Sequence, residues 1–204
     1  MKAPTKIPAA ATRDELISGH QGLHGELAAT MAGLEPALFF APQGQFWSPA
    51  QHLDHLVRSV KPLAQALGMP RLILRLLFGR AEASRRLDEV VGVYLGKLEA
   101  GAGAGGQFVP APVADSSRDA QQKLVFRWLK TGQDLDNALA GWSDADLDRY
   151  RLPHPLLGKL TVREMVAWSL YHGHHHWARM AERSGGRIPG PEPIRGQTDL
   201  PGRR

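Results

Sequence analysis

Residues 171–180 read YHGHHHWARM, so four of the chain's nine histidines fall within five positions. Histidine at this density suits metal ligation through neutral imidazole, proton relay, or a polar helix surface with no chemistry. Residues on a helix advance by about 100° each. His172 and His176, at i and i+4, therefore project from one face on adjacent turns. That separation lets two imidazoles share one ion. Val162, Met165, Val166, Gly173 and Trp177 mark the inward side of the same segment. His176 falls inside that arc and His172 on its edge, whereas His174 and His175 point elsewhere and are expected at the periphery. Two inward imidazoles are costly to desolvate together, and a shared ion offsets that cost.

A third ligand must come from another segment. In WSPAQHLDHLV, residues 47–57, His52 and His55 lie three apart. Angular position against Leu53, Leu56 and Val60 slightly favours His52, and both remain open on this ground. His20 and His24 are expected on solvated or flanking faces, and His154 in a loop near the mouth of the site. Asp54 reads as a solvated or capping carboxylate, Glu164 as a capping-box partner, and Trp47 and Trp168 as core or pocket lining. No Ser/His/Asp arrangement can be argued, and GAGAGG at 101–106 lacks the Gly-Lys-Ser/Thr end of a phosphate loop.

Helices must position these side chains, and their starts are written clearly. Thr12 with Glu15, Ser48 with Gln51, and Thr161 with Glu164 have capping-box spacing, and Pro49 sits at a first helical position. With the apolar stripes that follow, they predict helices over 13–33, 48–67 and 161–183, and Ser116 or Ser117 starts another over 117–141. Pro62 predicts a kink or break inside the second. MPRLILRLLFG predicts a short helix; the Gly-, Ala- and Pro-rich stretch after Glu99 reads as a loop, as does RYRLPHPLLGK. Four principal helices predict an all-α fold, a four-helix bundle with an insertion between its second and third helices. The expected organisation is a domain over 1–185, containing the 69–115 insertion, and an extended or disordered Pro/Gly-rich tail over 186–204.

Composition narrows the chemistry. The 204 residues include no cysteine, which excludes disulfides, thiolate metal sites and a cysteine nucleophile. Apolar residues at 43% and charged residues at 22% are ordinary for a soluble globular protein. No apolar run reaches membrane-spanning length and no early segment reads as a signal peptide, so a cytoplasmic location is expected. The net charge of +5 gathers partly in RLILRLLFGRAEASRR, whose one aromatic, Phe78, does not make a base-stacking set among its basic residues. That segment is expected to pack as a short helix with snorkelling arginines, binding neither membrane nor nucleic acid.

WSPAQHLDHLV resembles the W-S-x-x-x-x-x-x-H-L signature on the second helix of the DinB-like superfamily. LPHPLLGKLTVREMVAWSLYHGHHHWARM resembles the superfamily's final segment: a P-x-x-G-x-x-T/S entry loop, a capped helix, then H-x-x-H-H. The resemblance covers about residues 13–183, with its two motifs in the expected order. It implies a four-helix bundle with a three-histidine divalent-metal site at one end. At the matched positions the ligands would be His55, His172 and His176, which sets the family register against the angular preference for His52. The implied cofactor is a divalent ion, zinc or nickel first. The implied function is a metal-dependent hydrolase or thiol-dependent transferase acting on a small molecule. The alternative is a metal-binding bundle without turnover, acting as a stress-response or interaction protein. Homodimerisation is left open.

Overall fold

The computed structural model describes residues 11–191. In chain order the elements are α1 (Arg13–Gly33), α2 (Pro36–Phe40), α3 (Pro49–Leu67), α4 (Arg71–Phe78), α5 (Leu87–Glu99), a 3₁₀ turn (Gly106–Phe108), α6 (Arg118–Ala140), α7 (Asp144–Arg149), β1 (Arg151–His154), β2 (Gly158–Thr161) and α8 (Val162–Arg183). The fold is all-α apart from one small hairpin. Its four longest helices match the four predicted spans to within a residue at each end.

The capping boxes at Thr12, Ser48 and Thr161 all form, so each of these helices starts where its backbone N–H groups find side-chain acceptors. Helix ends are closed by side chains from elsewhere in the chain. The Gln121 amide donates to the carbonyls of Met31 and Leu34 at the end of α1. The Trp142 indole N–H donates to the Leu67 carbonyl at the end of α3. α3 runs through Pro62 without a break.

The long helices pack in a ring, α1 against α6 and α8, and α3 against the same two. Between them lies a core that includes Leu16, Leu27, Leu53, Trp128, Leu135 and Val166. Close approach depends on glycine. A Cβ at Gly173 would stand 2.4 Å from Leu23 Cδ2, and one at Gly132 would stand 2.0 Å from His24 Nδ1.

Two stretches fold differently from expectation, and a third takes a definite form that the sequence reading left open. RYRLPHPLLGK forms the β1–β2 hairpin rather than a loop, with Arg151 opposite Thr161 and Gly158 turning at φ +74°. Strands of four residues are too short to show alternation in sequence. Residues 87–99 form a helix, α5, that packs on α8 through Val90 and Tyr94. Finally, α4 buries Leu74 fully but leaves Leu72 61% and Leu76 73% exposed, so most of its aliphatic surface faces outward rather than packing. Its Arg71 lies over the Trp142 ring and pairs with Asp146. The start of the expected tail turns back on α8: Ile188 is buried, and the Trp177 indole donates to the Pro189 carbonyl at 2.7 Å. Residues 192–204 lie outside the described residues. Among the described residues no helix is long and apolar enough to cross a membrane.

Candidate metal centre

α3 and α8 face each other where His55 meets His172 and His176. The Nε2 atoms of His55 and His172 are 3.3 Å apart, and those of His172 and His176 are 3.0 Å apart. Imidazoles bound to one ion at about 2.0–2.1 Å would hold their nitrogens about 3.0–3.4 Å apart, so this spacing fits a shared ion. Each ring is also oriented from behind. His55 Nδ1 donates to the Phe108 carbonyl at 2.7 Å, which leaves its Nε2 as a bare lone pair facing the cluster. His176 Nδ1 meets His52 Nδ1 at 2.8 Å. His172 lies flat against Trp168, ring centroids 4.5 Å apart. The Phe108 carbonyl fixes the tautomer of His55, and the other two partners fix ring direction, as metal-ligating histidines require.

Burial also keeps these rings neutral. It pushes His172 and His176 well below the ordinary histidine range, with neighbouring imidazoles adding to the effect. Burial lowers His55 as well, against the opposing hydrogen bond to Phe108. His52 falls to about 3, through burial and then the charge of Arg183. Neutral nitrogen is the form that ligates metal.

The chain makes this arrangement with parts far apart in sequence. Ser48 and Gln51 fix the start of α3 one turn before His52 and His55. The 3₁₀ turn is tied across α3 by its neighbours: Arg58 donates to the Gln107 carbonyl at 3.3 Å, and the Ala111 N–H donates to Asp54 at 3.0 Å. Asp54 is thus buried and engaged with Arg58 at 2.7 Å, not solvated as its sequence position implied. The segment before α3 turns at Gly44, where φ is +68°, and is held to α8 by Gln43, which donates to the Met180 carbonyl at 3.0 Å. This turn presents Phe46 and Trp47 to the site. Trp47 lies edge-on to His52 at 5.5 Å, tilted against His55 at 5.2 Å and parallel to His176 at 6.4 Å, ring centre to ring centre.

A cavity of about 330 Å³ opens against the cluster, lined by Trp47, His52 and His176 on one side and by His175, Arg179 and Arg183 along α8. Leu98 of α5 closes part of its wall. The structure thus brings together His55, His172 and His176, with His52 one step behind and His175 at the cavity wall. His154, on β1, packs on Trp168 at 4.3 Å and accepts the N–H groups of Leu156 and Leu157 at 3.1 Å, outside the cluster. His20 and His24 are not on solvated or flanking faces: both are buried at the seam of α1 with α6 and α8. Sequence reasoning missed the Phe108 carbonyl, Tyr94 and the two arginines. Only the arginines were legible, since they continue the His172–His176 stripe at i+3 and i+7 from His176.

Fold and site together fit a metal-binding helical protein. The family model of the DinB superfamily matches residues 23–180, and the chain belongs to that superfamily. No curated protein and no solved structure matched the chain.

Proposed function

We propose that the protein is a metal-dependent enzyme of the hydrolase or thiol-dependent transferase kind, with His55, His172 and His176 holding a divalent ion, zinc or nickel first. The observation that carries this reading is the cavity that opens beside His176, at the edge of the three-imidazole cluster. Three neutral nitrogens leave coordination positions free, as catalytic sites do. A divalent ion held there would acidify a coordinated water or thiol and polarise a carbonyl or phosphoryl oxygen. The chain's own residues do the rest. Trp47, Phe46 and Leu98 give the cavity apolar walls that exclude water around a small substrate. His52 holds His176, and Phe108 holds His55, so neither ligand has to reorganise when substrate enters. His175, held neutral at pH 7 because burial brings it to about 4, lines the cavity wall as an uncharged hydrogen-bonding group. A non-catalytic metal-binding protein, with a stress-response or interaction role, would call for a coordination shell closed by side chains. The open space at His176 argues against it.

The test is metal analysis of untagged protein, followed by thiol-transfer and ester- or amide-hydrolysis screens of the loaded form. One ion per chain, lost together with turnover in His55→Ala and His176→Ala, is the expected result. Full metal content in both variants would overturn the site, and a stoichiometric ion without turnover across the screens would favour the non-catalytic reading.

A further inference from the structure

His172, His176, Arg179 and Arg183 follow one another at spacings of four, three and four, so a single stripe of α8 carries both the metal-facing imidazoles and two guanidiniums. Both arginines line the same 330 Å³ cavity as His176, and no carboxylate lines it. Arg183 lies 3.7 Å above the Phe46 ring, which orients its guanidinium at the cavity edge. Arg179 shares its charge with Glu182 at 3.2 Å, whereas Arg183 has no ion-pair partner among the described residues. The cavity therefore holds about one uncompensated positive charge.

We propose that the cavity binds a small organic monoanion whose carboxylate is taken by Arg183, assisted by Arg179, with its reacting end directed at His55, His172 and His176. This rests on the reading of the histidine cluster as the reactive centre. A planar guanidinium matches a carboxylate through two parallel N–H donors, and a single free charge suits a carboxylate better than a phosphate dianion. The reach is set by the helix. Arg179 stands roughly 4.5 Å and Arg183 roughly 10 Å beyond His176 along the axis, and both side chains lean back toward it. A substrate spanning a few bonds between its carboxylate and its reacting atom fits that separation and the cavity volume.

Calorimetric titration of zinc-loaded protein with 3-mercaptopropionate and with neutral 3-mercapto-1-propanol separates the carboxylate from the thiol. The acid is expected to bind about tenfold or more tightly than the alcohol, the scale of one charge-assisted contact. Arg183→Gln should erase that preference at unchanged zinc content, and Arg179→Gln should reduce it. Equal affinities in the parent protein, or a preference surviving in the double variant, would overturn the proposal while leaving the metal reading intact. A protein that takes up no zinc would instead sink the metal reading. The arginines are then judged on the metal-free chain, by the Trp47 indole N–H resonance titrated with butyrate and butanol. Movement with butyrate alone, lost in Arg183→Gln, supports the carboxylate site; equal or no movement refutes it.

Discussion

His52 and His55 sit three residues apart on α3, and the structure gives them different work. His55 turns Nε2 toward His172, whereas His52 meets the far nitrogen of His176. His55→Ala and His176→Ala are therefore expected to lose stoichiometric zinc, measured by elemental analysis after dialysis. His52→Ala should keep the ion with affinity about 10–100-fold weaker, measured by competition with a chromophoric chelator, because it removes an orienting partner and not a ligand. His175→Ala should leave affinity nearly unchanged. The helical period alone picked out His172 and His176. It could not choose between His52 and His55, because both stand beside the cluster and the deciding contact, the Phe108 carbonyl on His55, comes from a backbone 53 positions later. The resemblance supplied the register that periodicity lacked.

α1 shows how an element can be read correctly and its face misjudged. Its span and capping box follow from the sequence, yet His20 and His24 continue the stripe of Leu16, Leu23, Leu27 and Met31, and all six are buried. Residue type was weighted above position. His24 fits because Gly132 on α6 leaves a notch for its ring, which Trp128 holds edge-on at 4.0 Å. Glycine inside a helix is normally about 1 kcal/mol worse than alanine. Gly132→Ala should nevertheless destabilise, by roughly 1–3 kcal/mol as overpacked cores do. Gly25→Ala, on α1 with open space around it, should stabilise by up to about 1 kcal/mol. Urea unfolding of the two variants beside the parent protein gives both signs in one experiment.

Across the whole molecule, histidine is held neutral, and this sets the response to acid. Burial brings His20 to about 4, His24 to about 3 and His154 to about 4. Unfolded, each titrates near 6.5. The unfolded chain thus binds more protons throughout that interval, so stability is full above pH 6.5 and falls as pH drops toward the folded values. The loss is on the order of 3 kcal/mol for each of the buried pair His20 and His24 by pH 4, against a total of about 5–15 for a domain. Acid titration of metal-free protein followed by circular dichroism should show unfolding in this window, and His20→Leu should move the midpoint to lower pH. Zinc at 100 times its dissociation constant should add about 2.7 kcal/mol at neutral pH, read as a rise in Tm. The fold was legible where helices are long and capped. It was not legible in α5, whose Gly92 and Gly96 weaken its helical signal, nor in the β1–β2 hairpin, whose four-residue strands pair only with each other beside a single bridge from Arg80 to Tyr150. The turn carrying Phe108 has a consequence for proteolysis. It follows the glycine-rich run 101–105, an exposed stretch suited to nicking, and is anchored at His55 and Asp54. An ion that fixes His55 also fixes the acceptor behind it, so zinc should slow cleavage within 101–105 while Asp54→Ala speeds it. A protease digest would then report occupancy of the site from a peptide bond that touches none of its ligands.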